Sequence, residues 1–201
     1  MKKTIDIIAV TYGQNSILKC FINSIKSQTS DEWRLVIIHD GPNETLQKEL
    51  ENENYLIDGK IEFIQFHTRT QKYGHELRKW ALENVVKNEY VLLTNGDNYY
   101  TPNMVDSVLK SCVDENIDFI FFDAVHSHPT KFNSNKSDYG YFKSELKRSQ
   151  LDMGSVVVKS KLAKTVGFNS TAFAADWHYF ESILEKNPMV HKIDKVLFVH
   201  N

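Results

Sequence analysis

Apolar positions along this chain follow two alternating rhythms. A short, nearly unbroken run from Ile5 to Val10 reads as a buried strand, and Ile17, Leu18, Phe21, Ile22 and Ile25 then recur at helical spacing. Leu35 to Ile38 is a second apolar run, stopped by the turn signal His39-Asp40-Gly41-Pro42. A helix around residues 44–51, a strand at residues 61–66, and a helix with Leu77, Trp80, Ala81 and Val85 on one face lead to a strand from Tyr90 to Leu93. Strands that alternate with helices in this way predict βαβ winding around a mostly parallel, Rossmann-like sheet flanked by helices.

Beyond Pro102 the pattern gives a helix carrying Val105, Val108, Leu109 and Cys112, then a strand from Phe119 to Phe122. From His126 to Ser149 the chain is polar and aromatic, with His128-Pro129, Asn133-Ser134-Asn135 and Tyr139-Gly140, and predicts a long loop able to cover a site. Order returns with a strand at residues 156–158, a helix with Phe173, Trp177, Phe180 and Leu184 on one face, and a last strand at residues 195–199. No internal repeat is evident.

The 201 residues, 41% hydrophobic and 12% aromatic, suffice for a full core and fit one domain. A net charge of −2 with scattered Lys and Arg supplies no basic field for tracking phosphates, so nucleic acid is not an expected partner. Two cysteines, Cys20 and Cys112, both expected on apolar helix faces, cannot build a disulfide framework or a zinc site. With no transmembrane segment or signal peptide in the pattern, a cytoplasmic location is expected.

Motifs narrow the chemistry by exclusion. Only Gly13 follows the first strand, so the closely spaced glycines of a dinucleotide fingerprint are missing. There is no phosphate-binding loop ending in Lys-Ser or Lys-Thr and no Gly-x-Ser-x-Gly elbow. What remains is a wound sheet whose strand ends carry Thr11-Tyr12, His39-Asp40 and Asn95-Gly96-Asp97, with Asp176 near the start of a later helix. Carboxyl ends of strands are where open α/β sheets collect ligands, and a carboxylate beside amide oxygens suits a hard divalent cation.

These segments, in this order, resemble the GT-A glycosyltransferases and, within them, the inverting glycosyltransferase family 2. The opening strand with Thr11-Tyr12-Gly13-Gln14-Asn15, the second strand ending in His39-Asp40-Gly41-Pro42, and Gly74-His75-Glu76-Leu77-Arg78 all have family counterparts. Asn95-Gly96-Asp97 sits on the Asp-x-Asp motif, with Pro102 at the usual offset. Gly154-Ser155, Gly167-Phe168 and Ala175-Asp176-Trp177 resemble the later acceptor segments. The resemblance implies a single GT-A domain over residues 1–201, with a nucleotide-binding half (1–101) and an acceptor-binding half (102–201).

It further implies a nucleotide-diphosphate sugar as donor, a UDP-sugar above others, and a glycan or other hydroxyl acceptor. Donor-nucleotide contacts fall on Thr11, Tyr12, Asp40, Arg78, Asn95 and Gly96. Asp40 would accept from a base N–H and Tyr12 would offer a stacking face. Asp97 and His200 would hold Mn²⁺ or Mg²⁺ to neutralise the leaving diphosphate, and Asp176 would act as general base toward the acceptor hydroxyl. A helix N-cap is the structural alternative for Asp176, and a surface position that for Arg78.

The sequence departs from the family pattern in three places. Asn95 stands for the first aspartate of the motif, Gly96 lacks a side chain for the ribose, and Ala175 replaces a glutamate. A competing class follows from these changes: a sugar-nucleotide or glycan-binding module of the same fold without turnover.

Overall fold

The computed structural model describes residues 3–13, 15–112, 117–130 and 133–201, and only the backbone course of residues 127–130 and 133–138. Gln14 and the His128 side chain therefore lie outside the described residues.

Strands β1 (Ile5–Thr11), β2 (Trp33–His39), β3 (Ile61–Gln65) and β4 (Tyr90–Asn95) form the parallel part of one sheet, in the order β3-β2-β1-β4. Helices α1 (Asn15–Lys26), α2 (Glu44–Asn52) and α3 (His75–Asn84) make the crossovers. The parallel register pairs Thr11 with His39 and Val10 with Asn95, which lines up the three strand ends expected to carry a ligand site.

The rest of the sheet is mixed. Strand β8 (Val156–Lys159) runs antiparallel to both β4 and β6 (Phe119–Thr130), while β9 (Val190–His200) runs parallel to β6. The two-residue β5 (Tyr99–Tyr100) closes the order against β9. Helices α4 (Met104–Ser111), α5 (Ser160–Val166) and α6 (Ala175–Leu184) complete the layers.

Strand alternation divides the core into two faces. Ile5, Ile7 and Ala9 join Leu18, Phe21 and Ile22 of α1 on one side, and Ile8 and Val10 join Leu77 and Ala81 of α3 and Phe180 of α6 on the other. Apolar strands buried on both faces give the unbroken runs seen in the sequence. Asp6 interrupts the first run without facing water. Its carboxylate accepts from Arg34 at 2.9 Å, from the Lys87 and Asn88 amides at 2.6 and 2.8 Å, and from the Asn88 side chain.

Three expectations need correction. The segment from His126 to Ser149 is not one long loop: β6 continues through it and returns as β7 (Asn133–Phe142), an antiparallel hairpin. Its base is fixed by buried Asp123, which accepts from the Tyr141 hydroxyl (2.6 Å) and the Ser144 amide (2.8 Å) and pairs with Lys192 at 3.0 Å. Phe173 lies before α6 and is 89% exposed, and the buried face of that helix carries Tyr179, Phe180 and Ile183 instead. Cys20 is exposed, whereas Cys112 is buried as expected.

Candidate functional site

A cleft of about 460 Å³ opens over the carboxyl ends of β1, β2 and β4. Thr11, Tyr12, Asp40, Asn95, Gly96 and Asp97, all singled out in the sequence, line it.

The base of the cleft is set by close backbone approach. Gly96 donates its N–H to the Val10 carbonyl at 2.9 Å, and a Cβ at this position would come within 2.8 Å of Leu18 and 3.0 Å of Thr11. Packing therefore favours glycine in the middle of Asn95-Gly96-Asp97, and this residue can meet a ligand only through its backbone. Gly74, at φ +73°, brings α3 against Val10 in the same way.

On the β2 side, Asp40 accepts from the backbone amides of Thr70 (2.7 Å) and Gln71 (3.3 Å). Both oxygens retain acceptor capacity, since a carboxylate offers about four lone-pair sites. The loop so anchored places the Arg69 guanidinium 3.7 Å above the half-exposed Tyr12 ring. Arg69 carried no signal in the sequence; only the turn from β3 toward α3 brings it to the cleft.

Arg78 is not a surface arginine. It is 3% exposed on the inner face of α3, donates from Nη1 to the Tyr73 carbonyl at 2.8 Å, and donates from Nη2 to the Asn95 side-chain oxygen. Burial pushes its pKa below the ordinary value, opposed by the fields of Asp176, Asp152 and Asp97. One buried cation thus faces three carboxylates.

Asp97 and Asp176 share an unusual state: each has one buried carboxylate oxygen without a hydrogen-bond partner among the described residues. Burial raises the pKa of both, and the Arg78 charge works against that rise in each case. Asp176 does not cap α6. The cap position is Ala174, without a side-chain bond, and Asp176 lies in the first turn.

His200 ends β9 on the same side of the sheet. Its ring stacks on His126 of β6 at 4.1 Å between centroids, and both Nε2 atoms face Asp152 Oδ2, at 3.8 Å from His200 and 3.9 Å from His126. Neither His126 nor Asp152 stood out in the sequence as a ligand, because parallel strand pairing, not spacing, brings them together. His200 and Asp152 both act on the charge of Asp97, so the two groups form one electrostatic site.

The donor set fits a divalent cation: three carboxylates act on the Arg78 guanidinium, Asp97 keeps an unsatisfied oxygen, and the His200 imidazole acts on its charge.

The sequence profile described as glycosyl transferase family 2 matches residues 6–171, which includes every part of the cleft. The chain belongs to this family. A curated relative, the uncharacterized glycosyltransferase MJ1057 of Methanocaldococcus jannaschii, is 23% identical over 176 residues, covering 84% of this chain and 60% of the relative. Among solved structures, residues 1–349 of S. aureus TarS superpose with a TM-score of 0.76 at 16% identity, over 98% of this chain and 60% of that one. TarS has also been solved with UDP and with UDP-GlcNAc. The mannosyltransferase PcManGT from Pyrobaculum calidifontis, in complex with GDP-Man and Mn²⁺, superposes at 0.70 with 14% identity, over 100% of this chain and 57% of that one. The chain thus spans about 60% of the length of these proteins and shares the GT-A fold with the solved structures. Among its described residues no helix is long and apolar enough to cross a membrane.

Proposed function

We propose that the chain is an inverting, metal-dependent hexosyltransferase that moves a sugar from a UDP-linked donor to a hydroxyl group of a glycan or similar acceptor, in the cytoplasm. The observation that carries this reading is that Asp97 and Asp176, each with an unsatisfied buried oxygen, both feel the charge of the buried Arg78. TarS has been solved in complex with UDP-GlcNAc and PcManGT in complex with GDP-Man and Mn²⁺, which supports a sugar-nucleotide donor here.

The roles follow from the chemistry of each position. Asp40 accepts from the N–H of the base, and Tyr12 presents a ring face for stacking. Thr11, Asn95 and the Gly96 backbone border the nucleotide, and Arg78 offsets diphosphate charge from behind Asn95. Asp97 and His200 would hold Mn²⁺ or Mg²⁺, which when bound stabilises negative charge on the leaving diphosphate.

Asp176 performs the proton transfer. The acceptor oxygen forms a bond to the anomeric carbon on the face opposite the diphosphate, the carbon–oxygen bond to the diphosphate breaks, and the hydroxyl proton passes to the Asp176 carboxylate. Burial that raises the pKa of Asp176 makes it a stronger base than a solvated aspartate. Residues 1–101 serve the donor and 102–201 the acceptor.

A binding module without turnover is the second reading, and the engagement of Asn95 by Arg78 is what favours it, since that oxygen is already in use. Asp176→Asn separates the two. On the transferase reading it lowers sugar transfer by about 10²-fold or more and leaves UDP binding intact. Equal transfer by wild type and variant would remove Asp176 from the reaction, and absence of transfer by the wild type across a panel of UDP-sugars would favour the binding module.

A further inference from the structure

His126, Asp152 and His200 come from three separate elements and converge on one point. Parallel pairing of β6 with β9 places His126 opposite His200, with both rings on one side of the sheet, 16° from parallel. Asp152 arrives from the turn ahead of Met153–Ser155. Its Oδ1 accepts the Gly154 amide at 2.8 Å, which fixes the side chain and leaves Oδ2 toward the two imidazoles. That turn lies directly against β9: a Cβ on Gly154 would fall 2.4 Å from the Phe198 ring, so the glycine backbone packs on that side chain.

One ligand atom from each of the three residues lies within 4.8 Å of the other two. That is the spacing of donors around a single ion once each closes to a normal bond of about 2.0–2.2 Å. The nitrogen of His200 that faces Asp152 is Nε2, and its Nδ1 is buried without a hydrogen-bond partner among the described residues.

We propose that His126, Asp152 and His200 bind a divalent transition-metal ion in the nucleotide-free protein. A donor set of two imidazole nitrogens and one carboxylate favours Zn²⁺ and Co²⁺ over Mn²⁺, and Mn²⁺ over Mg²⁺. Magnesium requires near-octahedral oxygen and dehydrates reluctantly, while imidazole suits the later first-row ions. The ion is resident before the donor arrives, rather than carried in on the diphosphate. The inference rests on the transferase reading for the use of the ion but not for its binding.

The test is a titration of the nucleotide-free full chain with Mn²⁺, followed by the loss of the free-ion electron paramagnetic resonance signal. Saturable one-to-one binding is expected, displaced by equimolar Zn²⁺ or Co²⁺ and not by an excess of Mg²⁺. His126→Gln and Asp152→Asn should each weaken it by at least about tenfold while melting cooperatively. Should either variant fail to fold, pulsed spectroscopy of the Mn²⁺-loaded wild type gives an independent readout, with nitrogen coupling from two imidazoles expected. Binding only in the presence of UDP, binding unaffected by both substitutions, or absence of nitrogen coupling would overturn the proposal. Metal binding with no transfer activity would leave this site standing and remove the transferase reading; transfer with no metal bound before nucleotide would do the reverse.

Discussion

Arg78 donates from Nη2 to the side-chain oxygen of Asn95, tying the first turns of α3 to the end of β4 with a neutral partner. The charge that balances the guanidinium comes instead from Asp97, Asp152 and Asp176. Substituting Asn for the first aspartate of the motif thus preserves the hydrogen bond and avoids a fourth carboxylate. Arg78→Met is expected to destabilise the fold by about 3 kcal/mol, because it leaves buried carboxylates without their cation. Arg78→Lys should recover little of this, since a point charge cannot serve Tyr73 and Asn95 together. Urea unfolding of the two variants measures both effects.

Asp176 gives a pH prediction. In its proposed role as base Asp176 is active only when ionised, and burial places its pKa above that of an ordinary aspartate. Transfer should therefore fall on acidification at a pH higher than a solvated carboxylate would set. Asp176→Asn should lower kcat by about 10²–10⁴-fold. It should also raise Tm at neutral pH, because it removes a buried charge with an unsatisfied oxygen. A variant that loses both activity and stability would mean that the carboxylate is structural.

His75 should make stability pH-dependent. Its ring stacks on Phe168, and burial together with the nearby Arg78 charge pulls its pKa down to about 4 from 6.5. The folded protein thus binds fewer protons than the unfolded chain between these values. The contribution is complete above pH 6.5 and is lost as pH falls toward 4, up to about 3 kcal/mol. His75→Phe should flatten this part of the curve of unfolding free energy against pH.

The βαβ half was legible because buried parallel strands and amphipathic helices leave unmistakable patterns, as in Ile5–Thr11 and the Leu18, Phe21, Ile22, Ile25 face of α1. The hairpin of β6 and β7 was not, because the sequence of its distal part is polar, which leaves no apolar alternation to read. The cleft residues at β1, β2 and β4 followed from strand ends. His126 and Asp152 did not, since their meeting with His200 depends on which strands become neighbours.

Asp6 shows how a charge inside an apolar run holds the opposite end of the sheet. It joins β1 to Arg34 of β2 and to the amides that lead into β4. Asp6→Ala should cost about 3 kcal/mol by leaving two backbone N–H groups and one Arg34 donor without their acceptor, while Arg34 keeps Glu62. Nucleotide binding by whatever fraction stays folded should be unchanged, and a combined melting and UDP-binding assay checks both.

The central claim is that the cleft takes a nucleoside diphosphate together with a metal ion through Asp97. Thermal unfolding with UDP, GDP, CMP and TDP, each with and without Mn²⁺, tests it most directly, because a ligand that binds only the folded state raises Tm. A rise with UDP that needs Mn²⁺ and disappears in Asp97→Ala is expected. No shift with any nucleotide, or a UDP shift indifferent to both the metal and Asp97, would contradict it.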